Sequence, residues 1–93
     1  MLYMVIESFH DSAAPELYKR LRERGRMMPD GLKYLGSWIE PDYSRCFQMM
    51  EWDDPAVFEE WKSNWEDLVD FEAVPVITSS EAEGRIKAAA AGA

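Results

Sequence analysis

Glu7, His10 and Asp11 place three metal-competent side chains within one short stretch near the start of the chain. On a helix, Glu-x-x-His would bring both ligands to one face. Here Glu7 follows the apolar, strand-length run Leu2 to Ile6, and residues three apart on an extended strand point to opposite faces. The expectation is no metal site and no other cofactor, with His10 half-exposed beside a helix cap. Cys46 would be a nucleophile only with a cation or helix dipole to stabilise its thiolate. Its neighbour Arg45 should point to the other side of a strand, so a buried core cysteine is the simpler reading.

More telling are the polar residues set among apolar strands: Glu7, Gln48, Glu51 and Glu72. A buried carboxylate needs a partner or shifts its pKa, and Arg45, Arg24 or Arg26 is available as that partner. Unpaired and within hydrogen-bond reach of a bound acidic C–H or O–H, Glu7 would be a general base, with Tyr34 as a second proton-handling group. The ring-bearing set Tyr3, Tyr34, Trp38, Trp61 and Trp65 is rich for 93 residues of which 13% are aromatic. The catalytic candidates are thus Glu7 and Tyr34. Tyr3, Trp38, Cys46, Gln48, Trp61 and Trp65 are candidates to line a pocket for a small apolar or aromatic molecule. The competing reading makes the same rings core and subunit interface.

The elements that must hold these residues follow from spacing. Leu2 to Ile6 reads as a strand, and Phe9-His10-Asp11-Ser12 offers a helix N-cap with Pro15 and Glu16 in the first turn. Ala14, Leu17, Leu21, Gly25 and Met28 recur every three or four residues, which predicts an amphipathic helix stopped by Pro29-Asp30-Gly31. Leu32 to Ile39 and Arg45 to Trp52 read as strands joined by the turn cluster Glu40 to Ser44, hence an antiparallel hairpin. Asp53-Asp54-Pro55 is the strongest local signal, with Asp54 as N-cap and Pro55 at the first helical position. The helix it opens should carry Phe58, Trp61, Trp65 and Leu68 on one face. Val69 to Thr78 reads as a last strand, which Pro75 should confine to a sheet edge or a bulge. The alanine-rich end reads as a short helix or fraying arm.

The order β-α-β, β-α-β is the split βαβ or ferredoxin-like pattern: an α+β domain over residues 1–78, with a C-terminal arm or short helix over 79–93. A chain of 93 residues has room for one core, and its 47% hydrophobic content marks a folding composition. Strand alternation adds a further point. Leu2, Met4 and Ile6 lie on one side of the first strand, Tyr3, Val5 and Glu7 on the other; Phe47 and Met49 oppose Cys46, Gln48 and Met50. Both sheet faces are apolar, whereas two helices cover only one. The simplest cover for the second is another copy of the sheet, so a homodimer with facing sheets, a closed or nearly closed barrel, is expected.

The net charge of −8 has the wrong sign for a protein that gains affinity by neutralising phosphates, so no nucleic acid is expected. Lys19, Arg20, Arg22, Arg24 and Arg26 hold half of the ten cations, and nine acids against one Lys lie between Glu51 and Glu72. One helix is basic and another acidic, which allows pairing between subunits. A single Cys cannot form an intrachain disulfide, and no stretch approaches the roughly 20 apolar residues of a membrane span. A cytoplasmic protein without a membrane partner is the expectation.

Arg24-Gly25-Arg26-Met27-Met28-Pro29-Asp30-Gly31-Leu32, Ser37-Trp38, Arg45-Cys46-Phe47-Gln48, Asp54-Pro55 and Asp70-Phe71-Glu72 together resemble a family of short bacterial proteins known as a domain of unknown function. The resemblance covers roughly residues 1–80. It implies membership of the dimeric α/β-barrel superfamily, hence the ferredoxin-like fold and the homodimer. That superfamily includes cofactor-independent quinone-forming monooxygenases, muconolactone-isomerase-like proteins, haem-degrading enzymes and plant stress proteins, and fold alone does not choose among them. Haem-degrading members carry a ligating His on a helix; the one His here, His10, lies just past a strand. The resemblance carries over no catalytic residue. The function expected is therefore small-molecule binding between sheet and helices. The alternatives are a cofactor-independent oxygenase or isomerase acting on a phenol-like substrate, and an interaction module without ligand.

Overall fold

Eight residues, Leu2–Phe9, form the first strand, β1, three more than its apolar run. In the computed structural model, which describes residues 1–92, there follow α1 (Ala14–Arg24), β2 (Lys33–Ile39), β3 (Arg45–Glu51), α2 (Pro55–Ser63), β4 (Val69–Val76) and α3 (Ser79–Ala91). The strands form one sheet in the order β2-β3-β1-β4, with every neighbouring pair antiparallel. This is the ferredoxin-like α+β arrangement. Pro75 sits on β4, an edge strand, where its missing N–H costs no ladder bond on the outer side.

Alternation sorts the side chains. Val5, Glu7, Cys46, Gln48, Met50 and Val69 are buried on the helix side, and Met50, Val5 and Val69 are the most deeply enclosed. Above them Tyr3, Trp52 and Phe58 form a stack with centroid spacings of 3.9 and 4.4 Å, and Trp61 meets Phe71 edge-on at 5.3 Å. Such contacts favour offset or edge geometry over a random ring packing.

Local chemistry differs from the simple pattern at three helix ends. Ser12 does not cap α1: it takes a left-handed conformation (φ 59°), and Ala13 occupies the cap position without a side-chain bond. Gly25, spaced as if inside α1, is instead its C-terminal cap at φ 68°, a region a side chain disfavours. The helix thus stops before Pro29, and Met28 lies outside it. Trp65 and Leu68 also lie beyond their expected helix, because α2 ends at Ser63; a turn with Trp65 N–H on the Lys62 carbonyl (3.0 Å) still buries Trp65.

Asp54 and Pro55 behave as read, the Asp54 carboxylate accepting from Ala56 N–H at 3.0 Å. Asp54→Ala should lower stability by about 1 kcal/mol. A thermal unfolding comparison at pH 7 checks this, and an unchanged Tm would refute the cap.

Among the described residues, the far side of the sheet carries Leu2, Met4, Ile6, Trp38, Phe47, Met49, Val74 and Val76, none of them buried. Trp38 is 63% exposed, and its indole lies along the sheet over Gly36, where a Cβ would approach the ring to 3.3 Å. The C-terminal segment forms a 13-residue helix, α3, started by Thr78 Oγ1 accepting from Glu81 N–H at 3.0 Å. It buries no residue and leaves Ile86 70% exposed. Alanine propensity and the pairs Glu81–Arg85 and Glu83–Lys87, each 3.0 Å, hold it together. No helix among the described residues is long and apolar enough to cross a membrane.

Candidate functional site

Between α1 and the sheet lies a cavity of about 80 Å3 whose floor is Glu7 of β1 and Cys46 and Gln48 of β3, with Trp61 and Trp65 among its walls. Leu17, Tyr18 and Leu21 of α1 roof it, while Phe9, Arg26 and Ser37 complete the lining. Glu7, Cys46 and Gln48 share the space because β1 and β3 pair with Glu7 opposite Cys46, so alternate residues of both strands face α1.

Glu7 is 4% exposed, and burial pushes its carboxyl up to about 7, against a smaller opposing pull from the Arg26 guanidinium. Gln48 Nε2 donates to Glu7 Oε1. That bond leaves Gln48 Oε1 buried with no hydrogen-bond partner, and Trp65 Nε1–H is buried and unpartnered as well. Both orphaned polar atoms belong to residues that line this cavity, whereas most buried polar groups are satisfied.

Arg26 is held from two sides. Trp61 Nε1–H donates to its carbonyl at 3.0 Å, and its guanidinium lies 3.7 Å from the centre of the Tyr34 ring. Burial, and then the charge of Glu7, raise the Cys46 thiol to about 11, so it is a poor nucleophile at neutral pH.

Cys46, Gln48, Trp61 and Trp65 therefore line the cavity together with Glu7. Tyr34, Tyr3 and Trp38 do not. The Tyr34 hydroxyl is engaged with Ser37 Oγ at 2.5 Å, behind the Ser37 that reaches the lining. A bulge between Tyr34 and Gly36 makes this possible, since it puts residues three apart on the same face. Tyr3 is taken up by its stack on Trp52, and Trp38 is on the opposite face of the sheet.

The other polar candidates are spent on the surface. His10 points away from Glu7, with Nε2 3.0 Å from Asp70 Oδ1 and Nδ1 3.2 Å from the Asp67 carbonyl, and the Asp70 bond raises its pKa. Arg45 pairs with Glu40, Glu51 faces Lys33 at 3.8 Å, and Glu72 is exposed. The basic α1 does meet the acidic segment, but within one chain: Arg20 grips both carboxylate oxygens of Asp67 at 2.8 Å.

Among the other lining residues, Leu17 and Leu21 belong to the apolar row that predicts α1. Phe9, Tyr18 and Ser37 carry no sequence signal that separates them from ordinary core or surface positions.

A family model described as "Domain of unknown function (DUF3303)" matches residues 1–90. No curated protein and no solved structure matches the chain.

Proposed function

We propose, for a chain that belongs to this family of unknown function, that it binds a small molecule in the cavity between α1 and the sheet and works as a homodimer. The observation that carries the binding reading is a cavity between sheet and helix whose lining residues include Gln48 and Trp65, each of which keeps one buried polar atom unpartnered. A fold that buries polar atoms unsatisfied loses stability, and a ligand supplying the missing bonds recovers it.

Size narrows the ligand. The cavity's 80 Å3 is well below the roughly 300–1,000 Å3 of drug-sized pockets. It is about half the roughly 150 Å3 of an engineered cavity that takes benzene. The fit is to a few heavy atoms or to one end of a ring.

The homodimer rests on the uncovered apolar face. Trp38, Phe47, Met49, Met4 and Ile6 form a contiguous sheet surface, and a second copy turned by a two-fold axis would cover it with the same residues. A second reading, catalysis of a proton transfer, has its own support. Glu7 lies against the cavity with its carboxyl pushed up to about 7, where it can take or return a proton at physiological pH. Glu7 alone would fill that role, because the Tyr34 hydroxyl stands outside the lining.

Native mass spectrometry of protein purified gently from its own host tests both parts. The expected result is a dimer mass carrying an additional small organic mass, reduced to monomer by Trp38→Glu. A bare dimer that also gains nothing from a library of small aromatic fragments would overturn the binding reading. A wild-type monomer at micromolar concentration would overturn the dimer.

A further inference from the structure

Arg26 and Glu7 are the charged residues of the cavity lining, and Arg26 has no acid to pair with. Among the described residues its guanidinium makes no ion pair. It rests 3.7 Å from the centre of the Tyr34 ring, whose face compensates a cation only in part. The backbone holds it there, since Trp61 fixes the Arg26 carbonyl and Met27, at φ 56°, turns the chain just after it. Half-buried, Arg26 stays within reach of solvent. Its charge nevertheless acts on Glu7 of β1, Cys46 of β3 and Tyr18 of α1, the other titratable residues of the lining.

Glu7 is a complement that does not close on Arg26. Its Oε1 accepts from Gln48, which leaves Oε2 as the oxygen free for the cavity. A cation and a carboxyl that share a field but no bond leave room for a third group. A second cation there would meet Arg26, and a neutral molecule would leave the guanidinium uncompensated. A dianion would bring two charges to one guanidinium. A monoanion balances Arg26 when Glu7 carries its proton, whereas an ionised Glu7 would set two anions side by side in a poorly hydrated space. The protonated carboxyl instead offers the anion an O–H donor.

Resting on the cavity-binding reading, we propose that the cavity takes a carboxylate or similar small monoanionic end of its ligand, with Arg26 as the countercharge and Glu7 taking up a proton as the anion enters. A volume of about 80 Å3 admits a carboxylate and little more.

Burial brings the Glu7 carboxyl to about 7, where it can make this exchange. Arg26, in the link after α1, stays cationic. Cys46 titrates at about 11, and burial raises Tyr18 above its ordinary 10.0. From β2, Tyr34 and Ser37 spend their hydroxyls on each other, and β4 sets Phe71 opposite Glu7. The walls on the α2 side, Trp61 and Trp65, carry no charge. His10 and Asp70 are bonded together on the surface, and Glu72 is exposed.

Acetate and acetamide are the probes, alike in size and differing by one charge. Each is titrated into the intact protein at constant ionic strength between pH 6 and pH 8.5, followed by the indole N–H NMR signals of Trp61 and Trp65 on the cavity wall. At pH 6 acetate should bind about tenfold more tightly than acetamide, the scale of a charge-assisted pair. From pH 6 to pH 8 its affinity should fall about tenfold, because the form with Glu7 protonated is the one that binds, while acetamide affinity stays constant. Glu7→Gln should make acetate binding independent of pH, and Arg26→Gln should leave acetate no tighter than acetamide.

Acetate binding no more tightly than acetamide at pH 6 would overturn the anion assignment while leaving the cavity a binding site. Acetate affinity that stays constant with pH would overturn the part given to Glu7. Failure of both probes to shift the two indole signals at pH 6 would overturn the cavity reading on which the assignment rests. The wild-type comparisons decide each of these points even if a variant does not fold.

Discussion

Trp61→Ala should destabilise the folded chain by about 3–5 kcal/mol, the cost of cutting a buried large aromatic to alanine. Against a total of about 5–15 kcal/mol for a domain, that brings the protein near unfolding. Three losses combine. The 3%-exposed indole leaves a void, its contacts with Phe58 and Phe71 at 6.0 and 5.3 Å disappear, and the Arg26 carbonyl loses its donor. Trp61→Phe separates these effects, since it keeps most of the ring packing and removes the N–H, for a cost of about 1–2 kcal/mol. Urea unfolding at pH 7 measures both, and a loss below about 1 kcal/mol for the alanine variant would contradict the packing described. Because Arg26 opposes the rise in the Glu7 pKa, loosening its anchor also moves the Glu7 titration further upward.

Glu7→Gln should make the protein more stable at pH 8 and remove a pH dependence. In the folded chain the carboxyl titrates at about 7, against an ordinary 4.5. The folded state therefore binds a proton that the unfolded chain has released, and stability falls as pH rises between those two values. The contribution is complete below about 4.5 and lost above about 7. The 2.5-unit difference between 7 and 4.5, at about 1.36 kcal/mol each, amounts to ~3 kcal/mol. Glutamine at position 7 carries no charge to bury and can still bond the Gln48 amide. Unfolding free energies from pH 4.5 to 8 should thus show the variant gaining on wild type by up to that amount. His10 also has a raised pKa, but it is present in both proteins and cancels in the difference. A variant that loses stability relative to wild type as pH rises would mean that Glu7 is paired as an ion.

How far such a site can be read without coordinates depends on how local its determinants are. Asp54 and Pro55 were legible because cap chemistry involves neighbours in sequence. The assignment of Glu7, Cys46 and Gln48 to one face was legible because strand alternation is strict. Gly25 was not, since one residue spacing suits both a helix interior and the cap that ends it. Nor was the partnership of Tyr34 with Ser37, which a bulge creates by breaking the alternation. Arg26 was one of three candidate cations for Glu7. Its selection depends on the chain reversal after α1, where Met27 takes a φ of 56° and Trp61, far along the chain, fixes the Arg26 carbonyl. Ring type groups Trp38 and Tyr3 with the pocket, but Trp38 lies on the far face of the sheet and Tyr3, on the cavity's face, is spent in its stack on Trp52.

The strand order β2-β3-β1-β4 also bears on how the chain is made. Of these four strands the first in chain order is an inner one, and its two neighbours are the last two to follow. Leu2 pairs with Glu51 on one side and with Val76 on the other. Until Val76 has emerged, β1 has an open edge, and until β3 has emerged it has no partner at all. Two of the three strand pairings are therefore distant in sequence, which makes folding slower than for a helical bundle of this size. Until β3 and β4 are made the apolar run Leu2 to Ile6 waits unpaired, an interval in which a nascent chain is exposed to aggregation and to chaperone binding.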